Sequence, residues 1–135
     1  MACHCTGCQR MTASAFSLSA AIPSVGFSIL KGQPTIGGLH GATRHYFCPH
    51  CMSWIFTRPE GMDEFVNLRA TMLDDVSWTM LDDVSWFTFF IETWTREKLT
   101  WAITSAVYSF ETLPTEEDYA SLIEEYAKQA SRPLR

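Results

Sequence analysis

The chain is poor in basic residues, has no long apolar run and scatters none of its cysteines, and each shortage removes a class of function. Ten Lys and Arg stand against fifteen Asp and Glu, a net charge of −5 over 135 residues. Surfaces that hold nucleic acid or anionic lipid need a basic face, so neither is an expected partner. No apolar stretch reaches the ~20 residues that cross a bilayer, so no membrane partner is expected. All five cysteines fall in two short clusters, Cys3-His4-Cys5-Thr6-Gly7-Cys8 and Cys48-Pro49-His50-Cys51. Packing cysteines fall singly at apolar positions, whereas cysteines that hold a metal recur two or three residues apart. An odd number of cysteines with no secretion signal before them speaks against a disulfide framework. With a cysteine already at position 3 there is no room for a signal peptide, so the expected compartment is the reducing cytoplasm. A ligand so near the amino terminus also needs tethering, because terminal residues fray unless something holds them.

What is present describes a folded domain. The chain is 47% hydrophobic and 13% aromatic, which excludes a disordered segment and allows one core of ordinary size. Gln9 to Ser14 reads as a polar connection with one helical turn. Ala15 to Ile22, Val25 to Leu30, Thr43 to Phe47, Ser53 to Thr57, Glu64 to Ala70, Phe87 to Glu92 and Ile103 to Phe110 read as strands. Pro23, Lys31-Gly32, Gly37-Gly38 and Pro59-Glu60-Gly61 punctuate them, with a weak segment between Gln33 and Gly38. The second cysteine cluster then sits at a hairpin tip, where Met52 is expected to turn left-handed. A different pattern closes the chain. Thr115 precedes Glu116, Glu117 and Asp118, an N-cap with an acidic first turn, and Tyr119, Leu122, Ile123 and Tyr126 share one helical face. This helix is expected to pack on the core, with Pro133 as its boundary. Residues 1–112 are expected to form the β domain and 113–135 the helix and tail.

One octapeptide, Thr71-Met-Leu-Asp-Asp-Val-Ser-Trp78, is repeated without change as Thr79 to Trp86. A solenoid needs longer units and at least three of them. The copy therefore reads as a tandem duplication that lengthens a loop, with its paired aspartates as turn residues rather than a catalytic dyad.

The cysteine spacing supports two metal arrangements. In one, Cys5, Cys8, Cys48 and Cys51 close a single structural zinc. In the other, Cys3, Cys5 and Cys8 hold a zinc with one position open, the pattern of a reactive site, and Cys48 and Cys51 supply half of a second site. His4 lies between two ligands and is expected to project away from the ion; His45 and His50 are secondary candidates to complete the second site.

The stretches Cys-His-Cys-Thr-Gly-Cys-Gln-Arg-Met-Thr-Ala-Ser-Ala-Phe (3–16), Phe-Cys-Pro-His-Cys-Met-Ser-Trp-Ile-Phe (47–56) and Arg-Ala-Thr-Met-Leu-Asp-Asp (69–75) resemble the glutathione-dependent formaldehyde-activating enzyme family, also called the GFA or centromere-protein-V-like family. The resemblance implies a mainly β, Mss4-like zinc-binding fold, here with a C-terminal helix. It implies that Cys3, Cys5 and Cys8 are ligands of an open, catalytic zinc and that Cys48 and Cys51 are half of a structural zinc site. The other half, a Cys-x-Cys on an upstream strand, is missing, and Met52 stands where the family usually has glycine. The implied activity joins formaldehyde to glutathione, giving S-hydroxymethylglutathione, a carbon–sulfur lyase in the reverse sense. The implied cofactor is zinc and the implied partner a small, glutathione-like thiol; a homo-oligomer is compatible with this. The rival reading is a non-catalytic zinc module that serves stability or binding. Three thiolates around Zn²⁺ leave a net negative site, so an anionic tripeptide needs a cation nearby, and Arg10, Arg44, Arg58 and Arg69 are the candidates.

Overall fold

A computed structural model of the chain describes residues 1–39, 41–72 and 89–129. Its described residues form strands β1 (Ala2–Cys3), β2 (Ser17–Pro23), β3 (Thr35–Gly37), β4 (Arg44–Phe47), β5 (Trp54–Arg58), β6 (Phe65–Arg69), β7 (Ile91–Thr93) and β8 (Tyr108–Ser109), with helices α1 (Thr6–Thr12) and α2 (Glu116–Gln129). The strands line up in the order β3-β4-β5-β6-β2-β1-β7-β8. The protein is mainly β with a C-terminal helix, as expected, and this is consistent with an Mss4-like fold.

Strand β2 joins the two halves of the sheet. Its first residues, Ser17 and Leu18, pair with β1, while Ser19 to Pro23 pair with β6. The chain start is therefore tethered by strand pairing: β1 lies between β2 and β7, antiparallel to one and parallel to the other. β4 and β5 form the hairpin expected around the second cysteine cluster. Tyr46 stacks on Phe56 with ring centroids 4.4 Å apart, and Phe27 tilts against Phe56 at 4.9 Å.

Three expectations change. Val25 to Leu30 is not a strand; Ser24–Gly26 is a 3-10 turn, pinned by Ser24 donating to Glu64 and Asp63 carbonyls at 2.8 and 2.6 Å. The segment pairs with no strand among the described residues, and Val25 and Leu30 stay exposed. The weak segment before Gly38 instead forms β3 against β4. Of Ile103 to Phe110 only Tyr108 and Ser109 enter the sheet, beside β7. The β-prone run read as ending at Glu92 is observed as Ile91–Thr93, while Phe87 and Thr88 lie outside the described residues. Most of the octapeptide repeat, from residue 73 onward, lies outside them too.

Helix α2 starts as its sequence demands. Thr115 Oγ1 accepts from Asp118 N–H at 3.2 Å, and Asp118 Oδ2 accepts from Thr115 N–H at 3.0 Å, a reciprocal cap. Leu122 is buried, Tyr126 lies 5.1 Å from Phe90, and the Tyr108 hydroxyl donates to Glu125 at 2.6 Å. Among the described residues no helix is long and apolar enough to cross a membrane.

Candidate metal centre

Three different kinds of backbone deliver the three thiols of the first cluster. Cys3 ends β1, where it faces Ser17 on β2 and Thr93 on β7. Cys5 is the N-cap of α1, its sulfur accepting from the Cys8 N–H at 3.3 Å. Cys8 sits in the first turn of that helix and is buried. Helix α1 thus begins inside the motif, earlier than the polar connection at Gln9 suggests, because Cys5 does the capping work that Ser or Asp does elsewhere. The three sulfurs lie within 4.8 Å of one another. Tetrahedral Zn–S bonds of about 2.3 Å place sulfurs roughly 3.8 Å apart, so the donor set fits a thiophilic ion with little movement.

Contact among the three sulfurs pushes their pKa values apart. Cys5 Sγ accepts from the Cys3 and Cys8 thiols and from backbone N–H groups, which pulls its pKa down to about 2. Its neighbours pay the converse: hydrogen bonding to Cys5 and burial push the Cys3 thiol up, and contact with both other sulfurs and burial push Cys8 up.

Cys8 packs with Phe47 and Trp54, and Cys3, Cys5 and Met11 close around them. Gly38 enters this packing at φ +76°, where a Cβ would come 2.7 Å from Met11 Sδ and 3.2 Å from the Phe47 ring. Arg69 is buried with its guanidinium 4.0 Å over the Trp54 ring. Burial lowers its pKa to about 10, opposed by the negative charge of Cys8 and Cys3. Of the four arginines considered, Arg69 is the one whose charge faces the sulfurs. Arg44 and Arg58 pair across β4 and β5, and Arg10 lines a groove of about 410 Å³ together with Thr6, Gln9, Leu99 and Trp101.

The second cluster is built differently. Its knuckle backbone is formed: Cys48 N–H donates to Ser53 O and Met52 N–H to Cys48 O, each at 2.9 Å, and Met52 has φ +58° as expected. Cys51 is exposed, its sulfur hydrogen-bonded to the Ser53 hydroxyl at 3.1 Å. Among the described residues the only group of three or more convergent metal donors is Cys3, Cys5 and Cys8. The structure therefore does not gather Cys5, Cys8, Cys48 and Cys51 around one point. His50 is exposed. His45 is buried, with Nδ1 2.9 Å from Thr57 Oγ1 and its ring edge-on to Trp54.

The segment Glu92 to Lys98, of which sequence reading placed only Glu92, as the end of a strand, and which it did not link to the cysteines, clasps the first cluster. Glu92 Oε2 lies 3.1 Å from His4 Nε2. Glu97 accepts from the Thr6 N–H and hydroxyl at 2.6 and 2.7 Å, and Thr6 in turn holds the Glu97 carboxyl below its usual range. Gln9 Nε2 donates to both His4 O and Glu97 O. Tyr119 on α2 is also near: burial and the charge of Cys3 raise its phenol. These residues lie about 90–115 positions from the motif, and no spacing rule links them to it.

The sequence model of the family described as "Glutathione-dependent formaldehyde-activating enzyme" matches residues 1–90, a span that includes both cysteine clusters. No curated protein matches the chain.

Proposed function

Because the chain belongs to the glutathione-dependent formaldehyde-activating enzyme family, we propose that it is a zinc enzyme of the carbon–sulfur lyase type, acting on a glutathione adduct such as S-hydroxymethylglutathione. One observation carries this reading: three sulfurs converge, and no fourth described donor joins them. Three protein ligands with a vacant position suit an ion that takes substrate; four closed ligands suit a structural one. Zinc held by Cys3, Cys5 and Cys8 would supply a site at which a substrate thiol ionises, since a metal-bound thiol loses its proton.

In the adduct-forming direction the glutathione sulfur bonds to the formaldehyde carbon. The carbonyl π pair moves to oxygen, and the proton lost by the thiol ends on that oxygen as the hydroxyl. The reverse direction breaks the same S–C bond and returns the proton to sulfur. The residues of this chain handle charge and placement. Three thiolates and Zn²⁺ sum to −1 (3 × −1 + 2), and the buried guanidinium of Arg69 offsets that charge from the side of Cys8 and Cys3. The groove beside α1 has the volume of a small-molecule site, and Arg10 on its wall supplies donors for a tripeptide's carboxylates.

The test is turnover of S-hydroxymethylglutathione by purified, zinc-loaded protein and by Cys8→Ser. Turnover that disappears in the variant supports the reading. Turnover unaffected by Cys8→Ser, or zinc bound without turnover or thiol binding, contradicts it and favours a non-catalytic module.

A further inference from the structure

Between the two ligands Cys3 and Cys5 lies His4, whose side chain is fully buried. Its N–H donates to Thr93 O at 3.0 Å, its carbonyl accepts from Gln9 Nε2 at 2.6 Å, and its ring meets Phe16 edge-on at 5.2 Å. Its Nε2 lies 3.1 Å from Glu92 Oε2.

Glu92 is itself fixed from several directions. Oε2 also accepts from Lys98 Nζ at 2.8 Å and Thr104 Oγ1 at 2.6 Å, and Oε1 accepts from Lys98 Nζ at 3.0 Å and Ser109 Oγ at 2.7 Å. Only 6% of the residue is exposed. Burial pushes its carboxyl up, but these hydrogen bonds and the Lys98 charge outweigh that and bring its pKa to about 2. An ionised Glu92 requires the His4 Nε2 to be the donor.

A buried ion-paired network of this kind rarely stabilises a fold more than an apolar cluster of equal volume would. Its placement suggests a different use. Bringing thiolates together is opposed by their mutual repulsion, and the two-residue step from Cys3 to Cys5 must hold its shape without help from the ion. We propose that Glu92 is a positioning residue for the thiol cluster: through His4 it fixes the Cys3–Cys5 spacing, and so sets the affinity and ligand geometry of the metal. Carboxylates orient metal-bound histidines in a similar way; here the histidine is not a ligand but the residue between two ligands. The proposal rests on the reading that Cys3, Cys5 and Cys8 hold a metal.

The experiment titrates the full chain with Co²⁺, following the thiolate-to-cobalt charge-transfer bands and the d–d bands, for wild type, Glu92→Gln, Glu92→Asp and Thr104→Val. Thermal melting of each metal-free protein runs alongside. Glu92→Gln is expected to bind Co²⁺ about 10- to 100-fold more weakly, the usual range for such outer partners, with d–d bands displaced from the wild-type tetrahedral pattern. Glu92→Asp is expected to recover part of both. Thr104→Val, which removes one hydrogen bond to Oε2, is expected to give a smaller shift in the same direction and serves if Glu92→Gln does not fold. Lowered melting temperatures with wild-type affinity and wild-type bands would overturn the proposal and leave Glu92 a structural residue. A wild-type protein that takes up no Co²⁺ would instead overturn the metal reading on which it stands.

Discussion

The two cysteine clusters look alike in sequence and differ in what surrounds them. Cys3, Cys5 and Cys8 come from a strand, a helix cap and a helix turn, and they converge in a buried place walled by Phe47, Trp54 and Met11. Cys48 and Cys51 hang on one hairpin tip with Cys51 open to solvent. The fold itself shapes the first cluster, because β1 is locked between β2 and β7 and the Glu92–Lys98 segment grips the residues between the ligands. The second has a preformed knuckle backbone but only two sulfurs among the described residues. A cysteine pair announces a metal; burial and convergence decide what the metal is free to do.

The largest expected contrast comes from removing one sulfur on each side. Cys8→Ser is expected to abolish metal binding at the first site, measured by zinc per chain after dialysis, whereas Cys51→Ser is expected to leave that site loaded. Equal losses would merge the two clusters into one site. Next, Trp54→Ala is expected to cost about 3–5 kcal/mol in denaturant unfolding, the usual range for a buried aromatic. It removes the wall of Cys8 and the ring under Arg69, so metal affinity at the first site should fall with it. This variant lies on the hairpin that carries the second cluster, yet its damage should appear at the first.

A smaller effect concerns acid. Glu92 has its pKa held at about 2 in the fold, below its ordinary 4.5. A depressed carboxylate adds stability that is fully present above about pH 4.5 and is lost as pH falls toward 2. Unfolding of the metal-free protein between those values should therefore be steeper in pH for wild type than for Glu92→Gln; parallel curves would remove Glu92 from the account. The smallest effect belongs to the exposed cluster. Ser53, hydrogen-bonded to Cys51, lowers that thiol's pKa. Ser53→Ala should slow alkylation of Cys51 by iodoacetamide near pH 7, with no change at Cys8; an unchanged rate at Cys51 would show that Ser53 does not tune it.

Most of what the sequence shows by local pattern survives in the structure. The hairpin around Cys48, the left-handed Met52 and the capped helix after Thr115 are all written in neighbouring residues, through turn chemistry and short-range spacing. Val25 to Leu30 misleads because alternation makes a strand only where a partner strand lies alongside, and the 3-10 turn at Ser24–Gly26, pinned to Asp63 and Glu64, leads this segment away from any. The triad of cysteines is legible because its members lie within six positions. The residues that shape it are not: Glu92, Glu97 and Tyr119 reach the motif through tertiary packing alone. Arg69 is one of four arginines in the sequence reading, and only its burial beside Cys8 and Cys3 separates it from the others.

The measurement closest to the centre of this account is zinc K-edge X-ray absorption on the Cys48→Ser/Cys51→Ser protein loaded with one equivalent of zinc. Three sulfur neighbours at about 2.3 Å and one lighter atom, rising to four sulfurs when glutathione is added, is the predicted result. Four sulfurs before any thiol is added, or a first shell without sulfur, would contradict it.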